Sequence, residues 1–252
     1  MIKFYDVSCK YKNGVIGLNR INLSIKKGEF LTIVGPSGSG KSTLLRCINR
    51  LETPTAGQIF FHGNDICKMN TIHLRQIRRS IGMIFQQFNL IPRQSVLRNV
   101  LYGSLGTLGT FRSIFNLFKQ KDIDLATQNI KLLGLSEKSD SRADQLSGGE
   151  QQRVAIARTL MQSPIAILAD EPIASLDPVA SETVMQHLKI LNQKFNITII
   201  ATVHAMDTVR KYATRVVGLK NGVKVFDDAV SEFKDEHIAS IYASDQFGDT
   251  RC

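Results

Sequence analysis

The residues predict an α/β fold: a mainly parallel sheet covered by helices, with a helical lobe set into the chain. Three observations carry this. The apolar run Phe30 to Val34 leads straight into the glycine-rich stretch "GPSGSGKST" (35–43), which "STLLRCINRL" follows with helical spacing. "IAILAD" (165–170) and "ITIIATV" (197–203) are short apolar, β-branched runs bounded by turns, with the amphipathic "VASETVMQHLKILNQKF" between them. Strand, helix, strand at that spacing means parallel strands buried on both faces. Residues 92–162, by contrast, contain no convincing strand and read as helix with Gly-rich joints.

In chain order, "IKFYDVSCKY" alternates as a half-buried strand does, and "GLNRINLSIKKGEF" carries an amphipathic strand to a Lys-Lys-Gly turn. Pro54 and Gly57 end the helical segment after the glycine loop. "GQIFFHGNDI" predicts one or two short strands turning at Gly63-Asn64, and "IGMIF" (81–85) a buried strand. "RVVGLKNGVKVF" reads as a hairpin, because Asn221-Gly222 suits a turn with positive φ at both central residues. A charged helix and a polar end, "SDQFGDTRC", close the chain, and no repeat or low-complexity segment occurs.

At 252 residues, 43% hydrophobic and 21% charged, the chain is long enough for a sizeable core and too apolar for disorder. Its formal charge of +10 would suit polyanionic ligands, an anionic membrane face or nucleic acid. Only "RQIRRS" (75–80) clusters the basic residues, so a surface with a basic bias explains the charge as well as a nucleic-acid track does. The most apolar window, 99–118, is interrupted by Asn99, Arg112 and small polar residues, and the N-terminus has no apolar signal core. A cytosolic protein is expected. Cys9, Cys47, Cys67 and Cys252 have no metal-like spacing, so reduced thiols are expected of them.

Gly35-Pro36-Ser37-Gly38-Ser39-Gly40-Lys41-Ser42 fits the phosphate-binding loop, with strand before and helix after. Its glycines let backbone N–H groups turn inward around phosphates, the helix start adds a positive dipole end, and Thr43 completes the run. Lys41 would bridge the β- and γ-phosphates of ATP, and Ser42 would give its hydroxyl to Mg²⁺. "IAILADEP" ends a strand in Asp170 and Glu171 at the carboxyl edge of the sheet, where open α/β folds bind ligands. Asp170 is expected to accept from the water shell of Mg²⁺. Glu171, turned away by strand alternation, would polarise the attacking water.

These residues, with "LSGGE" (146–150), "ASLD" (174–177), His204 in "TVHAMD", Gln86 in "MIFQQF" and Tyr11 in "YKNG", resemble the ATP-binding subunits of ABC transporters from Tyr11 to about Phe226. The resemblance implies a P-loop NTPase fold in one domain: residues 1–91 and 163–227 a core with an N-terminal antiparallel β subdomain, 92–162 an inserted helical subdomain, 228–252 a helical tail. It also assigns roles: Tyr11 stacks on adenine, Gln86 reaches Mg²⁺ or the attacking water, and His204 meets the γ-phosphate. Ser147, Gly148, Gly149 and Asp177 would serve ATP held by the phosphate loop of a second copy, which implies a head-to-tail homodimer. Two departures stand out, Glu150 for the commoner Gln and Ala-Ser-Leu-Asp for Ser-Ala-Leu-Asp. Neither removes a phosphate-binding group.

With no membrane span of its own, such a subunit needs a separate permease, and through it a periplasmic or lipid-anchored binding protein, at the cytoplasmic face of the inner membrane. "FQQFNLIPRQSVLRNVLYGSLG", "RSIFNLF" and the insert 103–121 resemble phosphonate and phosphite import ATPases most, with polar amino-acid importers as the alternative. A nucleic-acid ATPase of the same superfamily would carry a long coiled coil or a second ATPase copy, and a small-molecule kinase has no use for "LSGGE"; neither is expected.

Overall fold

A computed structural model describes residues 1–107 and 117–243. Arg112 and the rest of 108–116 within the predicted insert, the polar end and Cys252 lie outside the described residues. Near the N-terminus, β1 (Ile2–Lys10) and β2 (Ile16–Ile25) pair antiparallel. After β3 (Phe30–Val34) and α1 (Lys41–Ile48), β4 (Ala56–Phe61) adds to the free edge of β1 and the two-residue β5 (Asn64–Asp65) to β4. The resulting four-stranded sheet has the order β2-β1-β4-β5.

Its neighbour is a six-stranded sheet made of β3, β6 (Ile81–Ile84), β7 (Ala166–Ala169), β8 (Thr198–Thr202), β9 (Arg215–Lys220) and β10 (Val223–Ala229), in the order β10-β9-β3-β8-β7-β6. Every pairing is parallel except the β9–β10 hairpin, whose turn residues Asn221 and Gly222 have φ of 49° and 77° as the sequence predicts. All residues of β3, β7 and β8 are buried, and their alternation divides two cores. Leu31, Ile33, Leu168 and Ile200 face α1 and the antiparallel sheet, packing with Ile2, Phe4, Leu44 and Cys47. Phe30, Val34, Ile167, Ala169 and Ala201 face the other way. Each fully buried aliphatic side chain contributes about 1.5–3 kcal/mol by leaving water.

The helical lobe belongs to that second core. From 92 to 162 the chain forms α3 (Val96–Leu101), a 3₁₀ turn at Tyr102–Thr107, α4 (Gln120–Leu132) and α5 (Gly148–Leu160), with no strand among the described residues beyond a single bridge, Ser95 to Arg142. Val96, Val100, Ile130, Val154 and Ile156 are buried in one cluster with the sheet residues Ile84 and Ile167. One helix escapes sequence inspection: α2 (Thr71–Ser80), capped by the Asn70 side chain on the His73 amide. Leu74 is its one fully buried residue and Ile77 packs partly buried against the core around α1, so the apolar stripe is narrow and the basic residues of "RQIRRS" dominate. The remaining helices are α6 (Pro178–Phe195), α7 (Met206–Tyr212) and α8 (Asp235–Tyr242). Cys9 and Cys47 are buried free thiols and Cys67 is half-buried; burial pushes the Cys47 thiol far above its usual range.

Candidate nucleotide site

The strands β3, β7 and β8 end level with one another, since Ile33 pairs with Thr202 and Ala169 with Ala201. Everything that follows β3, β7 and β8 therefore converges on one edge. The glycine loop fills 35–40, and Lys41 opens α1 from the left-handed Gly40 (φ 102°). Lys41 is 5% exposed; its Nζ donates to the carbonyls of Gly35 (2.8 Å) and Pro36 (2.9 Å). Burial lowers its pKa, and the carboxylates of Glu171 and Asp170 work against that shift. The Ser39 hydroxyl is buried without a protein partner, which in a loop of this shape suits a phosphate oxygen.

Asp170, 5% exposed, follows β7 and gathers donors from α1 and from the neighbouring strand β8. The Ser42 hydroxyl donates to its Oδ1 at 2.8 Å and the Thr202 hydroxyl at 3.2 Å, while the Arg46 guanidinium lies 3.8 Å from Oδ2. A hydroxyl and a carboxylate side by side are hard oxygen donors, so these residues fit Mg²⁺ shared with phosphate oxygens. No denser group of acidic and His residues competes for a metal among the described residues.

Glu171 is separated from Asp170, though not by the alternation the sequence suggests. It leaves the extended strand for the left-handed region (φ 49°), uncommon for a residue with a Cβ, and its N–H donates to the Thr202 hydroxyl at 2.7 Å. From that position Glu171 Oε1 stands 2.8 Å from His204 Nε2. Thr202 thus ties both acidic residues to β8, two residues before His204. A threonine inside an apolar strand gives no motif signal, which is why sequence inspection passes over it.

Tyr11 lies at the same site by another route. Its hydroxyl is 2.8 Å from the Thr43 hydroxyl, and Gly17 packs against both side chains. The loop is buttressed from β9–β10 as well, since the Gly222 N–H donates to the Ser39 carbonyl. Gln86 is exposed, two residues past β6. Beyond it, Arg158 of α5 donates to the carbonyls of Phe88 (3.0 Å) and Asn89 (2.5 Å), binding the loop after Gln86 to the helical lobe.

Ser147, Gly148, Gly149 and Asp177 are placed differently: they start α5 and α6. The Ser147 hydroxyl accepts from the Glu150 amide and donates to the Glu150 carboxylate at 2.9 Å, while its own N–H donates to that carboxylate at 2.8 Å. This is a full capping box, and it gives Glu150 a function that Gln could also fill. The backbone bond from Ser147 is the main cause of the lowered Glu150 pKa. Gly149 is required within the chain too: a Cβ there would lie 2.6 Å from the Ala180 Cβ of α6. Gly149 therefore has a packing reason besides the phosphate-binding role proposed for it. Asp177 Oδ1 accepts from the Ala180 amide and caps α6, with Pro178 at its first position.

A phosphate loop, a hydroxyl–carboxylate pair and a Glu–His pair on level strand ends define a P-loop ATPase with an inserted helical lobe. The family model "ABC transporter" matches residues 18–174. Among curated relatives, the "Phosphonates import ATP-binding protein PhnC" of Bdellovibrio bacteriovorus is 50% identical over 96% of this chain and 93% of its own length, and that of Shouchella clausii 53% over 96% and 91%. A dimeric ATP-binding cassette solved in a post-hydrolysis state with ADP and Pi superposes with a TM-score of 0.81 at 37% identity, covering 92% of this chain and 100% of that one. The cbiO1 subunit of the cbiONQ transporter from Clostridium perfringens gives 0.83 at 29% identity, over 95% and 92%. The chain belongs to the ABC transporter ATP-binding family, in the group of phosphonates import ATP-binding proteins. Among the described residues, no helix is long and apolar enough to cross a membrane.

Proposed function

We propose that the chain is the ATPase subunit of an importer for phosphonate- or phosphite-type oxyanions. It works as a homodimer on the cytoplasmic face of the inner membrane, with permease subunits and, through them, a binding protein outside. The observation that carries the cargo is the 50–53% identity with phosphonates import ATP-binding proteins over 96% of the chain.

In this reading Lys41 exchanges the Gly35 and Pro36 carbonyls for phosphate oxygens of ATP, and the N–H groups of 38–43 hold the rest. Ser42, Asp170 and Gln86 hold Mg²⁺, which when bound neutralises phosphate charge. Tyr11 packs on adenine. Glu171 accepts a proton from the water that attacks the γ-phosphorus, and His204, 2.8 Å from Glu171, orients that carboxylate and contacts the transferring phosphoryl group. Ser147, Gly148, Gly149 and Asp177 close over the ATP of the partner copy, so ATP binding and dimer closure are one event.

The test is the ATPase rate of the assembled complex, with permease and binding protein, in liposomes. A simple alkylphosphonate or phosphite should stimulate hydrolysis several-fold, and polar amino acids should not. Stimulation by amino acids instead would transfer the chain to the alternative cargo class, and stimulation by single-stranded DNA without permease would end the transport reading.

A further inference from the structure

The last helix touches the phosphate loop. The hydroxyl of Tyr242, the final residue of α8, accepts a hydrogen bond from the Gly35 N–H at 3.1 Å. Next to it, Ile241 is fully buried against Gly218 of β9. Gly35 is enclosed on both sides: its φ is 149°, a Cβ there would lie 2.1 Å from the Leu219 carbonyl, and the unpartnered Ser39 hydroxyl would be 2.7 Å away. No side chain fits, and no strand partner takes the Gly35 N–H. On the other side of the same residue, the Gly35 carbonyl accepts from Lys41 Nζ at 2.8 Å. One residue thus connects the end of α8 to the lysine of the loop.

We propose that Tyr242 is a positioning residue for ATP binding: by accepting from the Gly35 N–H it holds the Val34–Gly35 peptide and, through the Gly35 φ, the orientation of the carbonyl that Lys41 leaves to reach phosphate. This rests on the reading of 35–43 as the nucleotide site. A buried N–H that loses its acceptor must find another by rotating its peptide. The Gly35 N–H and the Gly35 carbonyl belong to successive peptides joined at the Gly35 Cα, so losing the acceptor frees the Gly35 φ and lets the carbonyl swing about the N–Cα bond; only a fraction of molecules then stays ready for ATP, and apparent affinity falls by that fraction. Tyr242 is half-buried and desolvation raises its pKa, so the phenol is neutral at physiological pH and the bond does not depend on pH there. Once ATP is bound the loop is held by phosphate, so turnover of the loaded enzyme is unaffected.

The experiment compares wild type, Tyr242→Phe and Ile241→Ala in the full chain, by ATP titration and steady-state hydrolysis. Tyr242→Phe keeps the ring packing and removes only the acceptor. Its KM and Kd for MgATP should rise about 3- to 10-fold, the range of one lost hydrogen bond, with kcat within about twofold. Ile241→Ala loosens α8 while leaving the hydroxyl, and should lower the melting temperature more than Tyr242→Phe does while changing KM less. Wild-type binding of ATP with an unchanged KM in Tyr242→Phe overturns the proposal alone. Equal loss of kcat and affinity in both variants reduces Tyr242 to a packing residue and overturns it as well. A wild-type chain that binds no ATP overturns both this and the nucleotide-site reading.

Discussion

On the proposed reading, Glu171 concentrates the chemistry in one side chain. Its left-handed backbone turns the carboxylate out of the strand, Thr202 fixes its amide, and His204 meets its Oε1 at 2.8 Å. A carboxamide in its place keeps the shape and loses the proton acceptor. Glu171→Gln should therefore bind ATP as wild type does and hydrolyse it about 10²-fold or more slowly, some 2.7 kcal/mol or more in barrier height, as single-turnover measurements with equilibrium binding would check. Unchanged turnover would remove Glu171 from the role of base. Sequence inspection finds this residue because an acidic pair after an apolar strand is legible. It does not find Thr202 or Tyr242, since a hydroxyl in a buried strand and an aromatic in a terminal helix look like packing until the fold brings them to the loop.

At the scale of elements, α5 begins on a capping box whose strength depends on charge. Glu150 has a lowered pKa because it accepts from Ser147, so its stabilisation is fully present above the ordinary glutamate range near 4.5 and is lost as pH falls through the folded-state value. The site is largely exposed, which limits the contribution to about 0.5 kcal/mol after solvent screening. Melting temperatures of wild type and Glu150→Ala should differ at pH 7 and converge as the pH falls through the lowered folded-state value of Glu150. A constant difference would assign the effect to packing. Strand assignments are legible because β3, β7 and β8 are largely apolar on both faces, whereas α2 turns only Leu74 and Ile77 to the core, a stripe too narrow to stand out among its basic residues. The glycines of "LSGGE" were legible as a motif but not as the close approach of α5 to α6, which needs the Ala180 contact to be seen.

At the scale of the whole molecule, the two cradles sit on different elements, the phosphate loop on α1 and Ser147 on α5. The bonds of Ser147 run to Glu150 in its own cap, and on the proposed reading the cap faces the ATP of a second copy. Mixing two inactive chains, Lys41→Ala and Ser147→Arg, should thus restore one composite site and trap ATP in the mixed dimer. Trapping no greater than in either variant alone would assign the site to a single chain. The level strand ends also limit how the chain can change in length. A residue added or removed between Ala166 and Ala169 would put Asp170 out of step with Ser42 and Thr202 and turn the following side chain to the opposite face of the sheet. Insertions and deletions that preserve activity are therefore confined to segments that leave the sheet and return, and a single lost codon in β7 would exchange side chains between the two cores as well as misplace the acidic pair.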